Sequence, residues 1–432
     1  AQAILAKGQQ LLATCSVHAC ARVAPMRIRY RHERRTRMCT AGWTALGAAT
    51  LHPGHPAFML WAHLRTVRRH VGRTQRSRVA CRPFGGSRDG ATLLVASEAD
   101  PASMTMAEAV LQYEPFQWEP LGSGCWTSHA LFRDGGHGGV GGRTSQVHLW
   151  VRPERMLEMD GVDAQWAAGA AAQTSGASAP LRDILFMSKH AAASGRPSLT
   201  VHPIGNPRRD LEPHGGVAGR LPPPSPRIAS LLRAVGSAKK GEGFGELTNF
   251  EVTLEATHHG PFLETPSLFA EIGSTDQEWG RKDAGRCWAE ALWAELSRTS
   301  SFPGDASPAR VDSPVVLALG GNHYMCHMND IVEQHPDVHI GHMLATYVLQ
   351  DAGPDRIREA VHEALLSTAQ SQPEARELFV LVLKKKLRSA DRKAVLEALD
   401  ECTSTWTGLE LRVVGSLSEL GEELQTRGEI GN

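Results

Sequence analysis

Four apolar runs of this chain end in histidine: at His190, at His202, at the pair His258-His259, and at His323. Two carboxylates, Glu255 and Glu271, lie close in sequence to the pair. Imidazoles and carboxylates are the ligands expected of a catalytic zinc ion, with one position left to water. Zinc can lower the pKa of that water to about 7, giving a hydroxide nucleophile at neutral pH. A nearby carboxylate can act as general base. The residue types therefore point to metal-assisted hydrolysis. A single strand-end histidine is more often structural, and His137, His148, His214 and His335 are read that way. His258-His259-Gly260-Pro261, beside two glutamates, is read as a site. So is Gly320-Gly321-Asn322-His323, where glycine after an apolar strand permits close backbone approach to a ligand.

Common alternatives are not met in the sequence. There is no HExxH helix of the metalloprotease kind and no GxSxG elbow of a serine hydrolase. The run Gly135-Gly136-His137-Gly138-Gly139 lacks the Gly-Lys-Ser/Thr ending of a phosphate loop and an apolar strand before it.

The elements that must position these groups centre on Glu251 to Trp279. Val252, Leu254 and Ala256 alternate with Glu251, Thr253 and Glu255, the period of a strand with one buried face. Leu268, Ala270 and Ile272 repeat the alternation, with Glu271 on the other face. The spacing predicts neighbouring strands with the site on or just beyond their carboxyl ends, where open α/β sheets bind ligands. Thr275-Asp276-Gln277-Glu278 has capping-box spacing and predicts a helix start.

Elsewhere, Ala91–Ser97, Asp183–His190, Ser198–His202, Pro314–Leu319, Leu378–Leu383 and Leu409–Val414 read as strands. Arg227–Val235, Trp279–Leu296 and Asp391–Leu399 read as helices, and Ile357, Val361 and Leu365 form a helical stripe. Asp100-Pro101-Ala102-Ser103 reads as a turn and helix cap. This alternation predicts an α/β fold with a mixed, mostly parallel sheet flanked by helices, over residues 91–432. Loop inserts are expected near 133–146, 164–180, 207–226 and 299–313.

Equal numbers of basic and acidic residues, 46 each, hide a local asymmetry. Residues 1–90 are rich in arginine, with Glu33 and Asp89 as their only acids. They read as a disordered extension, with a transit peptide and an RNA-binding arm as second and third readings. The cytoplasm is the expected compartment, with a plastid or mitochondrion as the alternative. The eight cysteines form no CxxC pair, which favours a reducing compartment. No apolar run approaches the roughly 20 residues needed to span a bilayer. Lys384-Lys385-Lys386, with Arg388, Arg392 and Lys393, is a basic cluster able to contact phosphates, or equally a solvated strand end.

At these residues the sequence resembles the archaeal and plant type of D-aminoacyl-tRNA deacylase. The matching segments are Asp100–Ser103, Ile184–Asn206, Phe250–Pro261, Pro266–Thr275, Gly320–Tyr324 and Ile340–Tyr347. The resemblance implies hydrolysis of the ester joining a D-amino acid to tRNA, with zinc as cofactor. It also implies a fold similar to nucleoside phosphorylase and peptidyl-tRNA hydrolase. On this reading Glu255, Glu271 and His323 are catalytic, and His190, His202, His258 and His259 hold the metal. Lys189 and Lys384 to Lys386 contact tRNA, and the chain acts as a monomer. One loop departs from the family pattern. Asn322 stands where a third glycine is usual, and Met325-Cys326-His327-Met328 replaces Ala-Pro-Arg-His, so the final histidine is lost or displaced to His327. Two rival readings are a metal-dependent amidase or peptidase on a small substrate, and a catalytically degenerate tRNA-binding protein.

Overall fold

Alternation along a strand assigns each residue to one side of its sheet, and in this chain both sides are covered. A computed structural model describes residues 90–122, 124–130, 145–169, 180–297, 313–405 and 409–430. The chain divides between Arg76 and Ser77 into two units, and every described residue belongs to the second. The arginine-rich segment up to residue 89 lies outside the described residues.

Eight strands make one mixed sheet. Their order is β2 (Glu119–Gly122), β3 (Cys125–Ala130), β4 (Ser145–Arg152), β1 (Ala91–Ser97), β5 (Leu181–Ala191), β8 (Ser267–Ser274), β6 (Ser198–His202) and β7 (Glu251–Leu254). Strands β4, β1, β5 and β8 run parallel. Strands β6 and β7 run parallel to each other, with β6 antiparallel to β8. A second, all-parallel sheet has the order β10 (His339–Leu344), β9 (Val315–Leu319), β11 (Glu377–Val382) and β12 (Glu410–Val414). The expected α/β class with mostly parallel pairing holds, divided between two sheets.

Helices α1 (Pro101–Gln112), α3 (Ile228–Lys239) and α5 (Lys282–Leu296) cover one face of the large sheet. Asp100 caps α1, accepting from the Ser103 N–H at 3.0 Å, with Pro101 in the first turn. Met106, Val110, Ile228, Leu232, Trp288 and Leu292 pack there on Leu185, Leu199, Leu268 and Ile272. The opposite face buries Leu93, Ile184, Phe186 and Phe269 under Met156, Met159 and helix α2 (Val162–Ala168). Helices α6 (Pro354–Ser371) and α7 (Ser389–Thr405) cover one face of the small sheet through Ile357, Val361, Leu365, Val395 and Leu399. The other face of that sheet joins the first core through Val316, Ala318, Phe379 and Leu381.

Three expectations need correction. Strands β7 and β8 are not neighbours, because β6 lies between them. The twelve residues from Glu255 to Pro266 are no tight hairpin and leave room for that strand. The helix expected over Trp279–Leu296 is two: α4 (Asp276–Trp279), started by the Thr275–Glu278 capping box, and α5, with Gly280-Arg281 between. Two of the expected inserts hold ordered elements. Strand β4 starts inside the expected 133–146 insert, and α2 occupies the start of the 164–180 insert, with Trp166 buried. The loop expected at 207–226 is present, and its last part is inside the protein, where Leu221 to Pro226 are buried and Ser225 Oγ donates to Asp183 at 2.9 Å.

Candidate active site

The alternation that sends Leu268, Ala270 and Ile272 to the helices sends Glu271 the other way, into one cluster. Ser188 and His190 on β5, Thr200 and His202 on β6, and Thr253 and Glu255 at the end of β7 share that face. The cluster therefore lies on and just beyond the strands, with His190, His202 and Glu271 on them and Glu255, His258 and His259 past the end of β7. Gly273 of β8 makes room for it, because a Cβ there would meet the His190 ring at 2.7 Å.

His323 arrives from the other sheet, in the loop after β9. Gly320 and Gly321 carry the positive φ angles of that loop, 100° and 109°, and Asn322 does not need one. The seam is closed by backbone bonds. Ala256 N–H donates to His323 O (2.8 Å), Met325 N–H to Leu254 O (2.8 Å) and Thr257 N–H to Met343 O (2.8 Å).

At the centre, Glu255 Oε1 lies 3.1 Å from His190 Nδ1, and Oε2 lies 3.2 Å from His323 Nε2 and 3.7 Å from His258 Nε2. Glu271 Oε2 lies 3.5 Å from His190 Nδ1 and 3.6 Å from His202 Nε2. The rings of His202 and His258 are 4.1 Å apart, and those of His258 and His259 4.2 Å. His259 sits at φ 41°. Glu255, Glu271 and His202 are almost wholly buried.

Three features match what a metal ion requires. His202, His258 and His259 each donate Nδ1–H to a backbone carbonyl, of Pro203 (3.0 Å), Ala256 (2.8 Å) and Gly260 (2.8 Å). That fixes the tautomer and leaves Nε2 as a lone-pair donor, the usual support of a ligating histidine. Both Glu255 oxygens and His202 Nε2 are buried without an aligned hydrogen-bond partner, although such groups are normally satisfied. One donor atom each from His202, His258 and His259 lie within 4.8 Å of one another. The same is true of His190, Glu255 and His323, and of His202, Glu255 and Glu271. Of the four histidines expected as ligands, three share one group, and His190 stands in another.

The charges are consistent with this. Burial opposes ionisation of Glu255, but His190 and His323 hold its carboxyl well below the usual range. Burial likewise opposes Glu271, which His190 and His202 bring down to about 2. Burial would lower His190, yet the two carboxylates raise it to about 11. His202 is raised against burial by Glu271. Burial, reinforced by the charge on His202, pushes His258 well down and His259 to about 4.

A cavity of about 330 Å³ opens onto the cluster. His190, His258, Glu271 and His323 line it, with Ala99, Met156, Leu157 and Ala191 as its apolar lining.

The family model for D-aminoacyl-tRNA deacylase matches residues 178–407, which span the whole cluster. A D-aminoacyl-tRNA deacylase of Arabidopsis thaliana is 31% identical over 327 residues, covering 72% of this chain and 96% of that protein. The chain belongs to the D-aminoacyl-tRNA deacylase family. It is accordingly a hydrolase, acting on the ester that joins a D-amino acid to tRNA. A D-aminoacyl-tRNA deacylase of Methanococcoides burtonii is 29% identical, covering 72% of this chain and 54% of its own. Another, of Methanosarcina mazei, is 34% identical, covering 51% and 65%. A crystal structure of a conserved protein of unknown function shares the fold at a TM-score of 0.54 and 24% identity, covering 78% of this chain and 97% of its own.

In this member of the family all seven expected histidine and glutamate positions converge. The lysines do not join them. Lys189 is exposed at the cavity rim, its ammonium 4.9 Å from the centre of the Trp279 ring. Lys384 to Lys386 form a short 3₁₀ turn after β11. His327 packs on Gly321. Among the described residues, the rings that meet His323 are those of His190, His258 and Tyr324. Sequence reasoning assigned no role to Tyr324, whose hydroxyl is 2.7 Å from His190 Nε2, or to Tyr347, 3.4 Å from His323 Nδ1. It also passed over Met156 and Leu157. Both tyrosines fall inside segments that carry the family resemblance, which was the available signal; Met156 and Leu157 had none. No helix among the described residues is long and apolar enough to cross a membrane.

Proposed function

We propose that this chain is a monomeric, zinc-dependent esterase that releases the D-amino acid and free tRNA from D-aminoacyl-tRNA. The observation that carries the metal is the set of buried donors with no aligned hydrogen bond, Glu255 Oε1 and Oε2 with His202 Nε2, among three histidines of fixed tautomer. His202, His258 and His259 would hold the ion. When bound, zinc supplies Lewis acidity toward a carbonyl and lowers the pKa of water.

The chain's own residues then have distinct tasks. Glu255 takes a proton from the attacking water as its oxygen bonds to the ester carbon. The bond from that carbon to the ribose oxygen breaks, and His323, half-exposed and 3.2 Å from Glu255, hands a proton to the departing oxygen. Glu271 and Tyr324 keep His190 oriented. The cavity beside Met156 and Leu157 takes the amino-acid side chain. Only one antipode then places its carbonyl over the cluster with the side chain in the cavity. Lys189 and the Lys384–Lys386 turn contact tRNA phosphates.

The test is ester loss from D- and L-aminoacyl-tRNA carrying the same labelled amino acid. Loss confined to the D form is expected. Equal, background loss of both would remove the reading.

A further inference from the structure

We propose that the exposed ring of Tyr347 is the platform on which the unpaired terminal base of the tRNA 3′ end stacks. This rests on the esterase reading above. Tyr347 is 52% exposed and is the one aromatic residue among the exposed large apolar side chains of the described residues. Its hydroxyl lies 3.4 Å from His323 Nδ1, and His323 Nε2 lies 3.2 Å from Glu255. The ring is therefore one side chain removed from the carboxylate at the centre of the cluster. It does not line the cavity, so it is not spent on the amino-acid side chain.

The ring is held in place before any ligand arrives. Thr346 N–H donates to Gly321 O (2.9 Å), and Gly321 N–H donates to Thr346 Oγ1 (2.9 Å). That pair locks the segment of Tyr347 to the loop of His323. Val348 and Leu349 are buried behind it, and Val348 O accepts from Arg208 Nη1 at 3.1 Å. Little ordering is needed on binding.

The substrate's chemistry supplies the occupant. With the ester carbonyl at the cluster, the attached ribose must lie beside it, and the base of that nucleotide within one sugar's reach. Proteins bind unpaired nucleotides largely by aromatic stacking, which tolerates any base. A solvent-facing phenol ring anchored next to His323 fits that need.

The test compares Tyr347→Ala and Tyr347→Phe with the unaltered chain, by binding and by turnover. Binding uses uncharged tRNA, intact and shortened by its terminal nucleotide. The unaltered protein and the Phe variant should bind the intact form about ten-fold more tightly, and the Ala variant should bind both alike. On D-aminoacyl-tRNA, Ala should raise KM by a similar factor with a much smaller effect on kcat. If Phe fails as badly as Ala, the hydroxyl on His323 is what matters and the stacking role is overturned. Equal binding of both tRNAs by the unaltered protein also overturns it. The binding arm needs no hydrolysis, so it stands even if the esterase reading fails.

Discussion

Glu255 and His323 come from different sheets, yet Oε2 and Nε2 lie 3.2 Å apart. One follows the edge strand of the eight-stranded sheet and the other the first strand of the parallel sheet. The active cluster is thus a product of how the sheets dock, held by backbone bonds on both sides of it. Glu255→Gln keeps the shape but removes the carboxylate proposed to accept the proton of water. It should cut kcat by at least about 100-fold, the usual worth of a general base. Steady-state deacylation of D-aminoacyl-tRNA measures it, with circular dichroism as the check on folding. Activity within a few-fold of the unaltered enzyme would take Glu255 out of the mechanism.

Metal removal should act on stability as well as on rate. The cluster presents two buried carboxylates and three lone-pair imidazoles, and a ligand bound only by the folded state stabilises it. At 100 times its dissociation constant, zinc should add about 2.7 kcal/mol. Dialysis against a chelator should lower Tm and abolish deacylation, and added zinc should restore both. A Tm indifferent to chelator and to zinc would rule out the proposed ligand set.

The Lys384–Lys386 turn follows β11, and Leu383 just before it packs on Gly320 and Gly321. The turn thus lies beside the His323 loop without entering the cluster. Replacing all three lysines by alanine should weaken tRNA binding at low salt and flatten its salt dependence, by up to about one unit of log–log slope for each lost phosphate contact. KM for D-aminoacyl-tRNA should rise and kcat should hold. Titration of labelled tRNA at several salt concentrations decides it, and an unchanged slope would mean that these lysines are a solvated turn and nothing more.

Much of the cluster was legible because chemistry and periodicity coincide in it. Glu271 falls on the polar phase of an apolar strand, a placement that tolerates a buried carboxylate only with partners. His190, His202, His258 and His323 all follow apolar runs. What was not legible depended on distant pairing. Nothing local says that β6 separates β7 from β8, because Ser198–His202 is equally apolar beside either. Strand β4 was lost because its alternation, Val147 and Leu149 against His148 and Trp150, begins directly after a glycine-rich run. Met156 and Leu157 belong to a short turn whose sequence has no period at all. His342 stands out in the sequence only as part of the Ile340–Tyr347 segment that carries the resemblance, and its partners come from three separate stretches of chain.

His342 gives the pH dependence. It is fully buried in β10 as a neutral ring: Nδ1 lies 3.0 Å from Thr257 Oγ1, and Nε2–H donates to Pro222 O at 3.1 Å. Burial drives its pKa down to about 3, against the pull of the Pro222 carbonyl, from an ordinary 6.5. Below pH 6.5 the unfolded chain therefore takes up a proton that the folded chain refuses. The stability from this residue is complete above about pH 6.5 and falls as pH drops toward 3, by about 1.4 kcal/mol per unit. The glutamates and other histidines add their own dependence, so the quantity to measure is a difference. Urea unfolding of the unaltered chain and of His342→Gln should converge as pH falls from 7 to 5, since the variant has no proton to gain. Parallel stability curves over that range would show that the ring is protonated in the folded protein after all.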